Sequence, residues 1–404
     1  MDGPAVAPRL PLDGVRVIAV EQYGAGPFGT MLMADLGAEV IKIENPADGG
    51  DVGRQVGPFF FEEGNSHFFQ AFNRNKRSLT LNLKTAAGRK VFEALVAKSE
   101  ALIDNLRGDQ PERLRLTYDH LKYINPRIVC AHLSAYGREG TRKSWPGYDY
   151  LMQAEAGYLS LTGEPNGPPT RFGLSIVDMM TGLMTGFALV SALVGARATG
   201  RGRDVDVSLF DVALHNLNYL AAWYFNGGHQ QGREPRSAHP SLTPSQLYRT
   251  RDGWIFVMCN KEKFWPLFCD ELGRRELAAD PRFCDFKARL AHREELTELL
   301  DRIFETRDTE DWIERLSGTV PVAPVYDVAQ ALDNPFTREQ HRTATFQPRN
   351  GGPTVDMLTG PIRLSDMDLP THTGPQLGED SESILTELGY TPLEIAHLRK
   401  EGAI

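Results

Sequence analysis

The stretch VRVIAVEQYGAGPFGTMLMADLGAEVIKIE, residues 15–44, decides the fold. Residues 15–20 and 39–44 are mostly apolar runs that predict two buried strands, and residues 28–36 between them predict a helix. Two strands joined by a helical crossover of this length run parallel in one sheet. The stretch therefore predicts an α/β fold built on a parallel sheet.

The same alternation of strand and helix continues along the chain. Further strands are predicted at residues 78–83, 101–103, 128–133, 204–209 and 254–258. Thr85 is a plausible cap for a helix over residues 85–98, and a last helix is predicted near residues 391–400. This pattern is typical of a parallel sheet covered by helices on both faces. Residues 225–244 are rich in Gly, Pro, Ser and His and predict a linker or mobile loop before a smaller second unit.

The composition narrows the class of protein. The 404 residues carry a net charge of −9, with 24% charged and 41% hydrophobic residues, which fits a soluble enzyme and argues against a nucleic-acid binder. Four cysteines without a CxxC pair favour a reduced, cytoplasmic setting, and the N-terminus shows no apolar leader. Since the ten histidines form no HExxH or HxH pattern, we predict no metal site.

Gly24-Ala25-Gly26-Pro27-Phe28-Gly29 reads as G-x-G-x-x-G between a strand and a helix, the context of a dinucleotide fingerprint. However, Pro27 removes a backbone N–H that a pyrophosphate would use, and no later segment suggests hydride transfer. An NAD-dependent oxidoreductase is therefore a remote alternative, and no NAD is expected. A tight turn with a close backbone approach, or a turn that accepts another adenine nucleotide such as CoA, explains the glycines as well.

Asp178 precedes the long apolar run of residues 179–194. As the cap of a helix it would accept a free backbone N–H. As an ionised carboxylate in a dry pocket, favoured by the helix dipole, it could attack a carbonyl group. The apolar run is about as long as a bilayer is thick, but a buried central helix explains it more simply, so we expect no membrane span.

Several segments together resemble one family. They are residues 12–17, Gly26-Pro27, residues 35–44, residues 73–78, residues 161–170, residues 199–202 and residues 377–380. In order and spacing they are similar to the family III CoA-transferases, the CaiB/BaiF group. The resemblance covers nearly the whole chain.

The resemblance implies a set of site residues. It places the nucleophile at Asp178, which raises the catalytic reading of this residue above the cap reading. The implied contacts with CoA are Gly24, Ala25, Leu81, Lys84, Asn105, Arg113, Ser134 and Tyr136. The candidate substrate contacts are Tyr148, Asp149 and His239. Related racemases place His before the Asp of a Gly-His-Asp motif, whereas this chain has Tyr148 there, which argues against racemase chemistry but leaves it as an alternative.

The resemblance also implies an activity and an assembly. CoA would move from a donor acyl-CoA, with succinyl-CoA as one candidate, to a carboxylic acid by a ping-pong mechanism through aspartyl anhydride and aspartyl-CoA thioester intermediates. Arg74, Arg77 and Arg171 could favour a dicarboxylate such as succinate, or could equally be surface or phosphate contacts. A Rossmann-like large domain would span residues 1–224, a linker and small α+β domain residues 225–325, and a return segment completing the large domain residues 326–404. Two such chains would form an interlinked homodimer.

Overall fold

The structure is a computed structural model that describes residues 9–404. The chain forms two compact units. The first comprises residues 9–156, 173–219 and 338–404, and the second comprises residues 157–172 and 220–337. Residues 157–172 thus belong with the second unit and not with the large domain predicted for residues 1–224. The first unit resumes at residue 338, whereas the predicted return segment begins at residue 326.

The strands and helices alternate over the first 220 residues. In chain order the strands are β1 (Arg16–Val20), β2 (Glu39–Glu44), β3 (Phe60–Glu62), β4 (Asn65–Ser66), β5 (Arg77–Thr80), β6 (Ala101–Asp104), β7 (Val129–Ser134), β8 (Arg203–Ser208), β9 (Ser245–Arg249), β10 (Trp254–Met258), β11 (Val322–Pro324), β12 (Thr343–Phe346) and β13 (Val355–Leu358). The helices are α1 (Ala25–Asp35), α2 (His67–Asn73), α3 (Ala86–Ala97), α4 (Gln110–Arg113), α5 (Tyr118–Leu121), α6 (Asp149–Glu155), α7 (Ile176–Thr199), α8 (Leu209–Asn216), α9 (Tyr219–Gly227), α10 (Phe264–Glu271), α11 (Glu276–Ala279), α12 (Phe286–Ala291), α13 (Arg293–Phe304), α14 (Thr309–Leu316), α15 (Val328–Asp333), α16 (Pro335–Glu339), α17 (Ser381–Glu387) and α18 (Pro392–Lys400).

Within residues 9–404, six strands of the first unit form a parallel sheet in the order β5-β2-β1-β6-β7-β8. Ranked by their position in the chain, these strands follow the 3-2-1-4-5-6 order of Rossmann folds. The strand order reverses between β1 and β6. A crevice at the carboxyl ends of these two strands is therefore the expected ligand site.

Helices cover both faces of this sheet, as predicted. On one face, Val17 and Val40 are buried in a core that includes residues of α1 and α7. On the other face, Ile18 and Ile41 belong to a core with residues of α3, α17 and α18. Because the interiors of β1, β2, β6 and β7 are buried on both faces, these strands have the largely apolar sequences from which they were predicted, whereas the edge strand β8 is partly exposed.

Helices α1 and α7 pack closely through two glycines. A Cβ atom on Gly182 would lie 2.3 Å from the carbonyl oxygen of Ala25, and one on Gly29 would lie 2.4 Å from the carbonyl oxygen of Gly182. Side chains at these positions would force the helices apart. The contact sets the start of α7 beside the turn between β1 and α1.

The second unit is smaller and mixes helices with an antiparallel sheet of order β11-β10-β9. Its core contains Trp265, Phe268, Phe304 and Trp312, with the rings of Phe304 and Trp312 5.1 Å apart. The predicted combination of a Rossmann-like large domain and a smaller α+β domain is confirmed.

Three local predictions need correction. Helix α1 begins at Ala25 rather than Phe28, so Gly24 is its N-cap. Strand β5 covers Arg77–Thr80 rather than residues 78–83. The apolar helix after Asp178 is buried on one face only, because Phe187 is 69% exposed in the single chain.

Candidate active site

A cavity of about 310 Å³ lies at the carboxyl ends of β1, β6 and β7. Six residues singled out by the sequence analysis line it: Gly24, Ala25, Asn105, Ser134, Tyr148 and Asp178. They come from the turn after β1, the ends of β6 and β7, the segment before α6 and the start of α7. The cavity occupies the crevice that the strand order predicts for a ligand.

Asp178 is not the cap of α7. The N-cap position is Ser175, and Asp178 is the third residue of the helix. Its side chain is buried, with 8% of the residue exposed, and lies against the turn after β1. The reading of Asp178 as a simple helix cap is therefore wrong.

The pKa of Asp178 is raised from 3.8 to about 7, mainly because burial disfavours its charged form and additionally because Asp149 is nearby. The helix dipole alone would favour the ionised carboxylate. Burial and the second carboxylate outweigh that effect here. A carboxyl group whose pKa is close to neutral pH and which lines a cavity is a candidate for covalent or acid–base chemistry.

Asp149 supports the start of α7. One of its carboxylate oxygens accepts a hydrogen bond from the backbone N–H of Asp178 at 3.0 Å, and the other accepts one from the side chain of Gln153 at 2.5 Å. Asp149 is itself buried. These contacts hold Asp149 against the first turn of α7, and Asp149 is not among the residues that line the cavity, where it was predicted as a substrate contact.

Gly24 lies against the carboxylate of Asp178. A Cβ atom at Gly24 would come within 2.9 Å of Asp178 Oδ2. In the same fingerprint, a Cβ at Gly26 would come within 3.0 Å of Asn105 Cβ. Together with the contact between Gly29 and α7, each glycine of the fingerprint is required by packing within the protein. The close backbone approach proposed from the sequence therefore explains the motif.

Aromatic side chains border the carboxylate. The ring of Tyr23 lies 5.0 Å from that of Phe68 and 6.3 Å from that of Tyr148. Tyr148 is 62% exposed, so its ring remains accessible at the cavity. The pKa of Tyr23 is raised by burial and by the nearby carboxylate of Asp178.

A second cavity, of about 240 Å³, lies at the ends of β1, β2 and β5. The predicted CoA contacts Leu81 and Lys84 line it. Gln22 and Leu106 line both this cavity and the one that contains Asp178, so the two cavities adjoin. The structure thus places these predicted residues along one edge of the sheet.

The other predicted residues are elsewhere. Arg113 and Tyr136 line a third cavity of about 770 Å³. The side chain of Arg113 is 68% exposed and lies 3.2 Å from Asp109, and the hydroxyl of Tyr136 donates to Glu155 at 2.7 Å. His239 belongs to the second unit, where its Nδ1 accepts backbone N–H groups of its own loop at 3.1 Å.

Among the lining residues of the Asp178 cavity that the sequence did not single out are Gln22, Tyr23, Arg107 and Trp145. Gln22 and Tyr23 directly precede Gly24, and Arg107 follows Asn105 by two residues. Their closeness in sequence to predicted contacts was the available signal. Arg107 brings positive charge to a cavity that otherwise contains a buried carboxylate.

The fold and the cavity are typical of an α/β enzyme. The buried carboxylate of Asp178 lies at the edge of a doubly wound sheet where such folds bind ligands. The family model of CoA-transferase family III matches residues 12–381. This chain therefore belongs to CoA-transferase family III, as the sequence resemblance predicted, and is a CoA-transferase.

Relatives and solved structures agree with this assignment. The chain is 34% identical to the acetyl-CoA:oxalate CoA-transferase of Acetobacter aceti, with 94% of this chain and 96% of that protein covered. It is 31% identical to the succinate–glutarate CoA-transferase of Agrobacterium fabrum, again covering 94% and 96%. The crystal structure of a CaiB/BaiF family protein from Brucella suis superimposes with a TM-score of 0.83 at 34% identity, covering 94% of this chain and 100% of that one.

Proposed function

We propose that this enzyme moves CoA from a donor acyl-CoA to a carboxylic acid by a ping-pong mechanism in which Asp178 is the nucleophile. The observation that carries the proposal is the buried carboxylate of Asp178, which lines a cavity at the carboxyl ends of β1 and β6 and lies against Gly24. A carboxylate can attack an activated carbonyl group, and this one is accessible from the cavity although it is mostly shielded from water.

The reaction begins when the Asp178 carboxylate attacks the thioester carbonyl of the donor. The carbon–sulfur bond breaks, the thiolate leaves with its electron pair, and an aspartyl–acyl anhydride forms. The thiolate then attacks the aspartyl carbonyl, which releases the donor acid as a carboxylate and leaves an aspartyl thioester.

The acceptor carboxylate attacks this thioester and displaces the thiolate, which forms a second anhydride. The thiolate attacks the acceptor's carbonyl in that anhydride, so the new acyl-CoA forms and Asp178 is released as a carboxylate. Each step exchanges one activated carbonyl for another, so no ATP is required. Exclusion of water matters because both anhydrides and the thioester would otherwise hydrolyse.

The raised pKa of Asp178 fits this chemistry. With a pKa of about 7, a large fraction of the side chain is ionised at neutral pH. The charged form lacks the solvation it would have in water, so it is more reactive than an exposed carboxylate. Asp149 holds the backbone N–H of Asp178 and keeps the nucleophile at the first turn of α7.

We propose that CoA lies along the two adjoining cavities. Its thioester end would occupy the cavity with Asp178, beside Gly24, Ala25, Asn105 and Ser134, and its nucleotide end the cavity of Leu81 and Lys84. Doubly wound folds bind nucleotides at this edge of the sheet. Arg113 and Tyr136 line a separate cavity, so they would contribute only to the outer part of a bound CoA.

Lys84 provides a direct test of this placement. Lys84→Ala should raise KM for the acyl-CoA about tenfold with little change in kcat, since a phosphate contact acts equally on the ground state and the transition state. Lys90→Ala removes a similarly exposed lysine that does not line the cavity and should change neither constant. If the two variants behave alike, the nucleotide lies elsewhere.

For the acceptor, we propose a small carboxylic acid and give dicarboxylates the first trial, because relatives act on oxalate, succinate and glutarate. Arg74 and Arg77 do not support that choice. Arg74 is buried in a pair with Asp35 at 2.6 Å, and Arg77 pairs with Glu387 at 2.8 Å, so both stabilise the fold. A panel of carboxylic acids offered with succinyl-CoA and acetyl-CoA would identify donor and acceptor.

The nucleophile is tested by trapping. Wild-type enzyme incubated with acyl-CoA and hydroxylamine should carry a hydroxamate on Asp178, found by peptide mass analysis. Asp178→Asn should lose transfer activity by more than about 1,000-fold and carry no label. Asp35→Asn alters another buried carboxylate of the first unit, one that does not line the cavity, and should keep both label and activity.

Each alternative function predicts a different experimental result. Turnover without a label on Asp178 would contradict the proposal. A racemase would exchange the α-hydrogen of a 2-methylacyl-CoA with solvent deuterium, a non-catalytic CoA-binding protein would bind without label, and an oxidoreductase would change NADH fluorescence.

We also propose a soluble, cytoplasmic homodimer, in which the outer face of α7 is covered by the second chain. Leu183, Phe187 and Val194 share this face and are 49%, 69% and 66% exposed. An exposed apolar row of this kind is typical of a protein interface. Phe187→Asp should give a monomer in light scattering, whereas Tyr123→Asp at an exposed site off α7 should not, and a monomeric wild type would contradict the proposal.

A further inference from the structure

We propose that the buried Lys42–Asp51 ion pair is a positioning element for catalysis, which holds the turn of residues 21–24 against the carboxylate of Asp178. The inference rests on the proposed role of Asp178 as the nucleophile. It assigns a function to two buried charges that take no part in the chemistry itself.

The turn contains a strained residue. Tyr23 has a φ of +68°, in the left-handed region that side chains other than glycine seldom adopt. Such a conformation costs on the order of 1–3 kcal/mol and persists only where the surroundings enforce it. Tyr23 lies between β1 and α1, directly before Gly24, so the strain is stored next to the nucleophile.

Three side chains from outside the turn hold its backbone. Lys42 Nζ donates to the carbonyl oxygen of Glu21 at 3.0 Å. The amide of Asn105 accepts from the N–H of Gln22 at 2.9 Å and donates to its carbonyl oxygen at 2.7 Å. Asp51 Oδ1 accepts from the N–H of Tyr23 at 2.9 Å. The backbones of Glu21, Gln22 and Tyr23 are therefore each held by a hydrogen bond from a side chain outside the turn.

Asp51 and Lys42 are in turn held by each other. Lys42 Nζ lies 2.7 Å from Asp51 Oδ2, and both side chains are fully buried. Asp51 Oδ1 also accepts the N–H of Gly53 at 2.7 Å. Lys42 lies on β2, which is hydrogen-bonded to β1 on one side and to β5 on the other, so the pair is anchored to an interior strand of the sheet.

The charges are maintained despite burial. The pKa of Lys42 is raised because the attraction of Asp51, Glu21 and Glu44 exceeds the opposing effect of burial, which is the largest single cause. The pKa of Asp51 is lowered, since Lys42 and the N–H groups of Tyr23 and Gly53 together exceed the effect of burial. Buried ion pairs contribute little to stability compared with apolar residues of the same size. Keeping this pair next to the active site is therefore better explained by geometry than by stability.

The consequence for catalysis follows from Gly24. Its Cα approaches Asp178 so closely that a Cβ would be 2.9 Å from Oδ2. If the turn relaxed to an unstrained conformation, Gly24 would move and the carboxylate would lose the surface that orients it. Misplacement of a reacting group by about 1 Å costs on the order of 100-fold in rate.

The experiment compares variants of Asp51 with a matched buried pair. Asp51→Ala removes the acceptor for Tyr23, whereas Asp51→Asn keeps an oxygen there and loses only the charge. Asp35→Ala breaks the buried Asp35–Arg74 pair in the same unit, outside the cavity. We expect kcat at saturating acyl-CoA to fall about 100-fold in Asp51→Ala and to recover at least about tenfold in Asp51→Asn. Asp51 also lines the cavity assigned to the nucleotide, so kcat at saturation, and not KM, is the readout.

Asp35→Ala should lower the melting temperature as Asp51→Ala does but leave kcat within about twofold of wild type. Equal losses of kcat in the Asp51→Ala and Asp35→Ala variants, or normal kcat in Asp51→Ala, would overturn the inference. Activity in Asp178→Asn would instead refute the proposed nucleophile, so the two failures can be told apart.

A second measurement covers the case in which Asp51→Ala does not fold. Tyr23→Gly places at this position a residue that adopts positive φ without strain. In that background, the loss of kcat caused by Asp51→Asn should shrink to less than half of its value in wild type. An unchanged loss would show that Asp51 does not act through the strained turn, and would overturn the inference.

Discussion

Replacing Asp178 with Asn should stabilise the protein, and more so as the pH rises. The pKa of Asp178 is about 7 in the folded chain and 3.8 when exposed. Between these values the folded protein binds a proton that the unfolded chain has lost, so the stability of the wild type falls with rising pH. Asn has nearly the same shape as Asp but does not ionise. The unfolding free energy of the variant therefore does not fall with pH for this reason.

The size of the effect follows from the two pKa values. A difference of about three units corresponds to about 4 kcal/mol of stability once the pH exceeds both values. At pH 5 only about 1.5 kcal/mol of this cost has appeared, and at pH 8 it is nearly complete. The difference in unfolding free energy between Asp178→Asn and wild type should therefore grow by about 3 kcal/mol from pH 5 to pH 8.

Urea denaturation followed by circular dichroism at pH 5, 6, 7 and 8 measures this difference. Asp51→Asn serves as the control, because the pKa of Asp51 is lowered below 3.8. The stability that Asp51 contributes is fully present above pH 4 and is lost only in acid, so its difference from wild type should be constant over the same range. A constant difference for Asp178→Asn as well would refute the idea that this carboxyl group is dry.

The remaining predictions concern close contacts and pH. Gly24→Ala places a methyl group 2.9 Å from Asp178 Oδ2 and should lower kcat about 100-fold, whereas Gly195→Ala, with no neighbour within 4 Å, should leave steady-state kinetics unchanged. Gly182→Ala meets a carbonyl of α1 at 2.3 Å and should lower the unfolding free energy by about 3 kcal/mol or more, while Gly186→Ala, one turn further on at 3.7 Å, should be neutral or slightly stabilising in urea denaturation. In steady-state assays, kcat/KM for the donor should rise about tenfold per pH unit up to about pH 7 and then level off, because the proposed attack requires Asp178 to be ionised; a flat profile would contradict this.

Much of the fold could be predicted because the sheet is buried on both faces. Val17 and Ile18 point to opposite cores, so the strand is a continuous apolar run that stands out in the sequence. Thr85 was predicted to cap α3, and its hydroxyl accepts the N–H of Gly88 at 3.0 Å. The ends of the elements were harder to predict. Helix α1, for example, begins with Ala25, Gly26 and Pro27, which also suit a turn.

The environment of Asp178 could not be predicted, because it depends on residues distant in the chain. Asp149 is 29 positions away and bonds to the N–H of Asp178 only after α6 and α7 have packed. Its negative charge and the burial of Asp178 both raise the pKa, and neither is visible in the local pattern. The family resemblance singled out Asp178 as the proposed nucleophile, while its burial and its raised pKa follow from the fold.

The glycine fingerprint is a second feature whose cause could not be predicted from the sequence. Its spacing arises because Gly24 admits a carboxylate, Gly26 admits the side chain of Asn105, and Gly29 admits a carbonyl of α7. A dinucleotide site would also require glycine at these three positions, but there a pyrophosphate would approach the helix N-terminus in place of Asp178. The motif therefore predicts that another group approaches the turn closely, but it does not identify that group. In this chain the approaching group is the carboxylate of Asp178, so the turn after β1 both lines the crevice and contacts the proposed nucleophile.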